Sequence, residues 1–223
     1  MSSMLAEAWG VFASLFTNDA WEIREALRTP GAYVAGLVFT IVGGFAVHLI
    51  YRYVPIIERN LERSVMVASY LIIAAIIFVE VFRRFVLNEQ APWSTTLPPF
   101  LFLVMTWFGC AYNVKLRTHL AFSEFRMNMP RGGQFLCLSL DALLWLGFCV
   151  IVIVTSARLT ANSAANFQIL LGTDDVLQWW FLVTVPLAFL LMAARVIENY
   201  LDDIRRFRSD EQMISQAVIG GGE

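Results

Sequence analysis

Long apolar runs dominate the pattern of hydrophobic and polar positions, and the run over residues 65–82, VMVASYLIIAAIIFVEVF, is the clearest. A helix rises about 1.5 Å per residue, so about 20 mostly apolar residues cross the roughly 30 Å hydrocarbon core of a bilayer. Runs that meet or approach this length cover residues 31–53, 65–87, 97–114, 136–157 and 176–197. The pattern predicts an all-α fold, that of a polytopic membrane helical protein with about five transmembrane helices.

The chain before the first run has the pattern of a surface helix. Residues 1–30 hold an apolar patch, but no basic n-region precedes it and charges follow it, so a cleavable signal peptide is not expected. An amphipathic helix from about Ser3 to Leu27 is predicted instead, lying in the headgroup layer or against a partner. The residues predicted to share its broad apolar face are Trp9, Phe12, Phe16 and Ile23.

The predicted domain organisation follows these runs. Residues 1–30 form the interfacial segment, residues 31–55 an extra transmembrane helix, residues 56–208 a membrane domain of four spans, and residues 209–223 a flexible C-terminal tail. Pro186 is expected to kink the last span, because it lacks the backbone N–H that a helix interior needs.

Composition narrows the function classes. Of the 223 residues, 58% are hydrophobic and 15% are charged, whereas soluble domains carry about 25% charged residues. Little chain is left for a soluble domain, and a net charge of −2 gives no reason to expect nucleic-acid binding. Cys110, Cys137 and Cys149 are odd in number and form no C-x-x-C motif, so they are interpreted as small apolar packing residues.

The loop charges predict an orientation in the membrane. Basic residues concentrate in segments 51–64 and 115–131 and in the C-terminal tail, whereas loop 158–175 carries one arginine and two aspartates. The positive-inside rule assigns the basic segments to the cytoplasm. The N-terminus is therefore predicted to be periplasmic and the C-terminus cytoplasmic.

Charged side chains within the runs are few, and all lie within a turn or two of an end. They are Glu80, Asp141, Arg195 and Glu198. Glu80 is predicted to pair with Arg83 or Arg84, or to contact a partner subunit. Asp141 is predicted to pair with Arg117 or Arg131 of the basic loop, or to contact a partner subunit. A proton relay or ion pathway needs polar groups stacked through the bilayer, and the sequence pattern lacks such a column. A self-sufficient small channel or transporter is therefore a minor alternative.

Two histidines raise a different function class. A b-type haem between helices needs two axial ligands at matched depth, and His48 and His119 are the candidates. His48 lies near the inner end of the first span, while His119 lies in the basic loop beside Arg117 and Thr118, which is not an apolar haem pocket. A haem-bearing membrane anchor of a redox enzyme is the alternative function, and polar loop or interface histidines are the simpler interpretation.

The first span carries a stripe of small residues at four-residue spacing, namely Gly36, Thr40 and Gly44, which His48 continues. Small residues at this spacing let membrane helices approach closely. The stripe predicts a helix–helix contact, either inside the chain or with another chain.

Residues 80–131 carry a recognisable pattern. It consists of EVFRRFVLNEQAPWS, a span that ends in WFGCAYNVKLRTHLAF, and then Met129–Pro130. In order and spacing it resembles the small membrane subunit (DctQ-like) of tripartite ATP-independent periplasmic (TRAP) transporters. The matching residues are Arg84, Phe85, Trp93, Phe108, Gly109, Ala111, His119 and Pro130. The resemblance covers about residues 56–205. This sequence departs from the family pattern in two places: Leu97 stands where the family usually has an acid, and the first span is additional to the family's usual four.

The resemblance implies a non-enzymatic small permease subunit in the bacterial inner membrane. Such a subunit is expected to be a scaffold for the large permease subunit and a docking partner of the periplasmic substrate-binding protein, in sodium-coupled uptake of an organic acid, a carboxylate or sulfonate. Sodium is expected at the large subunit, no cofactor is expected here, and membrane lipids, including bound phospholipid, are the other expected partners.

The candidate contact residues for partners or lipid are Gly36, Thr40, Gly44, Glu80, Arg83, Arg84, Trp93, Trp107, Arg117, His119 and Arg126. The candidates for the binding protein are Arg83, Arg84, Asn88, Glu89, Gln90 and loop 162–175. The candidates for the large subunit and bridging phospholipid are Glu80, Trp107, Arg117, His119 and Arg126.

Overall fold

The computed structural model describes residues 2–17, 19–117, 126 and 128–212, and within them the chain is helical. The helices are α1 (Ser2–Thr17), α2 (Ala20–Arg28), α3 (Gly31–Tyr53), α4 (Pro55–Phe82), α5 (Leu97–Lys115), α6 (Arg131–Ala165), α7 (Trp179–Leu182) and α8 (Thr184–Arg208). A π-helical turn, Arg83–Leu87, follows α4, and a 3-10 turn, Pro92–Thr95, precedes α5. The predicted all-α membrane fold is confirmed, because five of these helical stretches are long and apolar enough to cross a bilayer.

Two spans are longer than the apolar pattern predicted. The second begins at Pro55 rather than at residue 65, because proline suits the first helical position and the helix continues through the charged residues after it. The fourth, α6, covers 35 residues where 136–157 was predicted. The last span is interrupted at Val183, three residues before Pro186, so the helix is broken close to the proline.

Helix α8 forms the centre of the bundle. It packs against α3, α5 and α6, and it buries residues such as Phe189, Met192 and Ala193 on several sides. Cys149 is fully buried in the same cluster, in agreement with a packing role. Helix α4 is peripheral, since it packs along α5 and meets α3 near the turn between them.

The predicted N-terminal helix is two helices, because Asp19 caps α2 by accepting a hydrogen bond from the Trp21 N–H at 2.8 Å. The predicted apolar face is therefore divided between α1 and α2. Phe12 and Ile23 pack against a cluster with α3 and α6, whereas Trp9 and Phe16 are exposed.

Polar contacts attach the N-terminal helices to the bundle. Glu7 Oε2 accepts the Gly31 N–H at 3.0 Å and so caps α3 from a neighbouring helix. Arg158 Nε donates to the Leu27 carbonyl at 2.5 Å, and its guanidinium lies 5.0 Å from the ring centroid of Tyr33. The end of the bundle that carries these contacts is called the loop end below.

The small-residue stripe of α3 faces the inside of the chain. A Cβ at Gly36 would clash with Cγ2 of Val154 on α6, and a Cβ at Gly44 would lie 3.0 Å from Cδ1 of Ile197 on α8. Thr40 is fully buried, and its hydroxyl donates to the Gly36 carbonyl at 2.7 Å. The helix–helix contact predicted for Gly36, Thr40 and Gly44 is therefore made inside the chain, since close packing against α6 and α8 occupies this face.

Residues 209–212 are the described part of the predicted C-terminal tail, and residues 213–223 lie outside the described residues.

Gly36→Ala should destabilise the protein by about 1–3 kcal/mol, because the added methyl group overpacks the α3–α6 contact. Gly147→Ala on α6 is the matched control, since its Cβ would meet nothing within 4 Å. That change should be neutral, or stabilise the helix by up to about 1 kcal/mol. Equilibrium unfolding in mixed detergent micelles, followed by circular dichroism, measures both; equal effects of the two substitutions would contradict the close contact.

Candidate functional site

The strongest polar interaction in the described bundle joins α8 to α4. Arg195 Nε donates to Glu62 Oε1 at 2.9 Å, and Arg195 Nη2 donates to Glu62 Oε2 at 3.2 Å. The Arg195 side chain is 1% exposed and that of Glu62 is 0% exposed. A two-point contact between guanidinium and carboxylate fixes the orientation of both groups, so this buried pair defines how α4 meets α8.

Further polar residues complete a group that we call the ion clamp. Its members are Tyr51, Glu58, Glu62, Lys115, Arg195 and Glu198. The Tyr51 hydroxyl donates to Glu62 Oε1 at 3.0 Å, and its ring centroid lies 4.0 Å from the guanidinium carbon of Arg195. The Lys115 ammonium lies 2.7 Å from Glu58 Oε1. The ion clamp therefore links α3, α4, α5 and α8 at one end of the bundle, called the clamp end below.

Every N–H of Arg195 has an acceptor. Besides the Glu62 contacts, Nη1 donates to Glu58 Oε1 at 3.2 Å and to Glu198 Oε2 at 2.8 Å. Nη2 also donates to the Glu58 carbonyl at 2.7 Å. These contacts use all five N–H donors that a guanidinium carries. The group therefore has no donor left for a substrate, and the arrangement suits a fixed brace better than a binding site.

A second polar cluster lies at the clamp end, where α5 finishes. Arg117 Nη1 donates to Asp203 Oδ1 at 2.6 Å, and Nη2 donates to the Asn199 carbonyl at 2.8 Å. Arg126 Nη1 donates to Asp141 Oδ2 at 2.6 Å, so the arginine that pairs with Asp141 is Arg126, whereas the predicted partners Arg117 and Arg131 pair with Asp203 and Asp210. Arg117 and Arg126 thus make ion pairs inside the chain.

A small cavity of about 40 Å³ lies beside this cluster, lined by groups that include Arg117, Asp141, Trp145, Asn199 and Asp203. Sites for small organic molecules usually have volumes of about 300–1,000 Å³. This cavity is therefore too small to hold a haem or an organic acid.

The ion pair predicted between Glu80 and Arg83 or Arg84 is not formed in the described part of the chain, and the alternative contact of Glu80 with a partner subunit stays a prediction. Glu80 Oε1 accepts the Ala91 N–H at 3.2 Å, and Arg83 pairs with Glu89 at 3.3 Å. The π-helical turn after α4, followed by Asn88 at φ 53°, turns the chain back toward Glu80. The backbone N–H of Ala91, and not an arginine side chain, is therefore the donor to the Glu80 carboxylate.

Two segments form the surface of the loop end. Residues 166–178 fold back on themselves, with the Leu170 N–H donating to the Val176 carbonyl at 2.8 Å. Gly172 has φ +81°, and a Cβ there would lie 2.6 Å from the Pro92 carbonyl oxygen, so only glycine allows this approach to the other segment, residues 88–96. Trp93 is partly exposed in this second segment.

The remaining candidates lie at separate places. Trp107 packs in the core, with its ring centroid 5.0 Å from that of Phe189. Arg84, Asn88, Glu89 and Gln90 are exposed at the loop end. His119 lies outside the described residues, so the structure does not test the pair of haem ligands; the other histidine, His48, lies on α3 with its ring near Phe45.

Tyr51 and Glu62 were not predicted as site residues. Tyr51 is an uncharged residue at the end of the first predicted span, and the apolar pattern assigned Glu62 to the connection between the first two spans. A signal was present in the sequence. Pro55 followed by Glu58 and Glu62 at i, i+4 spacing, with arginines one position later in each case, is the pattern of a helix with an acidic face and a basic face.

Arg195→Ala should lower the free energy of unfolding by about 3–5 kcal/mol, because it leaves the buried Glu62 carboxylate without its charged partner. Arg205→Ala is the matched control on the same helix, since Arg205 makes an exposed ion pair with Asp202 at 2.8 Å. That pair is expected to contribute less than about 1 kcal/mol. Detergent unfolding curves measure both variants, and a loss at Arg195 no larger than at Arg205 would refute a tightly coupled ion clamp.

Comparison with known proteins agrees with the resemblance drawn from residues 80–131. The family described as "Tripartite ATP-independent periplasmic transporters, DctQ component" matches residues 73–206. The sialic acid TRAP transporter small permease protein SiaQ of Vibrio cholerae serotype O1 is 24% identical over 166 residues, which cover 73% of this chain and 94% of the relative. This family consists of membrane-embedded transporter subunits and not of enzymes. The chain belongs to the DctQ family, the small permease component of TRAP transporters in the bacterial inner membrane.

Proposed function

We propose that this chain is the static scaffold of a sodium-coupled TRAP transporter that takes up an organic acid. It supports the large permease subunit, which holds the substrate and sodium sites, and it helps to dock the periplasmic substrate-binding protein. The observation that carries this proposal is the ion clamp, in which every donor of Arg195 is used inside the chain. A group so fully satisfied holds helices in place and does not exchange partners with a solute.

The expected orientation agrees with this role. The clamp end carries the basic segments around residues 52–63 and 205–208, which the positive-inside rule assigns to the cytoplasm. The loop end then faces the periplasm and offers residues 88–96 and 166–178 to the substrate-binding protein. Exposed apolar residues there, such as Phe167 and Leu171, are suitable for a protein contact.

The substrate class rests on the family and on its relative. The relative is named for the transport of a sialic acid, which is a carboxylic acid, and the organic acid proposed here is a carboxylate or sulfonate. The identity of that acid depends on the binding protein and the large subunit, because the small subunit is proposed not to touch it.

Deletion of this chain should abolish sodium-dependent uptake in cells that produce the large subunit and the binding protein, because the large subunit then lacks its fixed support. Uptake of radiolabelled organic acids in sodium buffer, with potassium buffer as the control, measures the effect. Immunoblots of membranes check that the large subunit is still inserted. Wild-type uptake without this chain would refute the scaffold role.

The orientation has a separate test in a variant without Cys110, Cys137 and Cys149. Leu171→Cys at the loop end should react with a membrane-impermeant maleimide in intact spheroplasts, because the loop end is proposed to face the periplasm. Ser209→Cys, exposed just after α8, should react only after the membrane is permeabilised. Labelling in the opposite order would reverse the proposed orientation.

A further inference from the structure

Helix α4 is the least supported span of the bundle. Only 6% of its apolar segment is buried inside the chain, compared with 56% for the segment that contains α8. Exposed large apolar residues cover it from end to end, and they include Tyr70, Leu71, Ile77, Phe78 and Phe82. A membrane helix with so little packing in its own chain has a large surface available to another helix.

The contact of α4 with the bundle is a narrow seam. Its less exposed positions recur mainly at spacings of three and four residues, and they are Glu58, Leu61, Glu62, Val65, Met66, Ser69, Ile73, Ile76 and Glu80. This spacing is that of a two-helix coiled-coil seam, which covers one stripe of a helix and leaves its other sides open. Met66 contacts α5 close to Gly109, so α5 is the neighbour along this seam.

The ion clamp fixes the direction in which this poorly supported helix leaves the bundle. Glu58 and Glu62 lie in the first turns of α4, and Arg195 and Lys115 hold them from α8 and α5. Buried ion pairs often add little stability over apolar packing, and their best-attested use is to specify one geometry. A helix facing only lipid needs no such specified direction, whereas a helix that must match a partner surface does.

One other face of the bundle is already occupied, whereas α6 keeps an exposed apolar face that includes Leu143 and Leu144. Helix α3 covers α6 and α8 through Gly36 and Gly44, and it lies outside the family match, which begins at residue 73 within α4. A partner common to the whole family must bind a surface that the family shares, and on α4 that surface is the part from residue 73 onward, which includes Phe78. The first turns of α4, with the acids of the ion clamp, lie before the family match. Arg59 and Arg63 are exposed at the clamp end of α4, where they are suited to acidic groups of a partner.

We propose that the exposed side of α4, centred on Phe78, is the surface on which the large permease subunit packs, and that the ion clamp orients it for this contact. The inference rests on the proposed function, in which a large permease subunit is the partner. The expected occupant is an apolar helix of that subunit with acidic groups near its cytoplasmic end.

Site-specific photo-crosslinking in the co-expressed complex tests this surface. A benzophenone amino acid replaces Phe78 on α4 or, as matched controls, Val42 on α3 or Leu144 on α6. These residues are 75%, 63% and 61% exposed, and all three lie within membrane-spanning helices. Irradiation of membranes should join the large subunit to the Phe78 variant, with a yield at least about tenfold above both controls.

The crosslinking results distinguish the proposed surface from the scaffold role. A crosslink from Val42 or Leu144 in place of Phe78, or no crosslink from any position while the large subunit still co-purifies, would overturn the proposed surface and leave the scaffold role intact. Failure of the large subunit to co-purify with the wild-type chain would overturn the scaffold role and this inference together. In the conservative variant Glu62→Gln, the crosslink from Phe78 should fall several-fold while the chain stays in the membrane; an unchanged yield would remove the ion clamp from the proposal.

Discussion

The buried contact between Arg195 and Glu62 is the interaction on which the arrangement of the spans depends. Removing two charges from water costs free energy, and their attraction compensates for it only when the remaining donors and acceptors are also satisfied. Here Tyr51, Glu58 and Glu198 supply those partners. The ion pair contributes more to the relative orientation of α4 and α8 than to the free energy of folding, because the paired groups allow one relative position of the two helices.

A subunit built in this way is suited to a static structural role beside a protein that changes conformation. Its central helix is buried on several sides, its charged groups are paired near the ends of the spans, and close contacts of glycine residues hold α3 and the two loop-end segments in place. Transporters that conduct a solute by themselves instead need polar groups at mid-membrane depth that can change partners. The scaffold role proposed for this chain agrees with the first description.

Hydropathy was sufficient to find the five spans, because bilayer thickness sets their length and leaves few alternatives. It was insufficient for the candidate site. The charges after Pro55 lower local hydropathy, so the first turns of α4 were interpreted as loop and Glu62 was overlooked. Its partner Arg195 lies 133 residues away in the chain, a separation that no local pattern reveals. The partner of Glu80 was missed because it depends on a backbone turn at residues 83–91, whose geometry side-chain types alone do not specify.

The length of α6 has a consequence for the host membrane. Its 35 residues extend about 52 Å, well beyond a hydrocarbon layer of roughly 30 Å. The surplus turns carry polar residues, such as Arg131 and Gln134 at one end and Asn162 at the other, so they extend past the acyl chains toward the headgroups and the water. A thicker bilayer would cover more of these turns while the apolar part of the helix stays in the lipid. Along this helix, a bilayer thicker than average is therefore tolerated without a change of tilt.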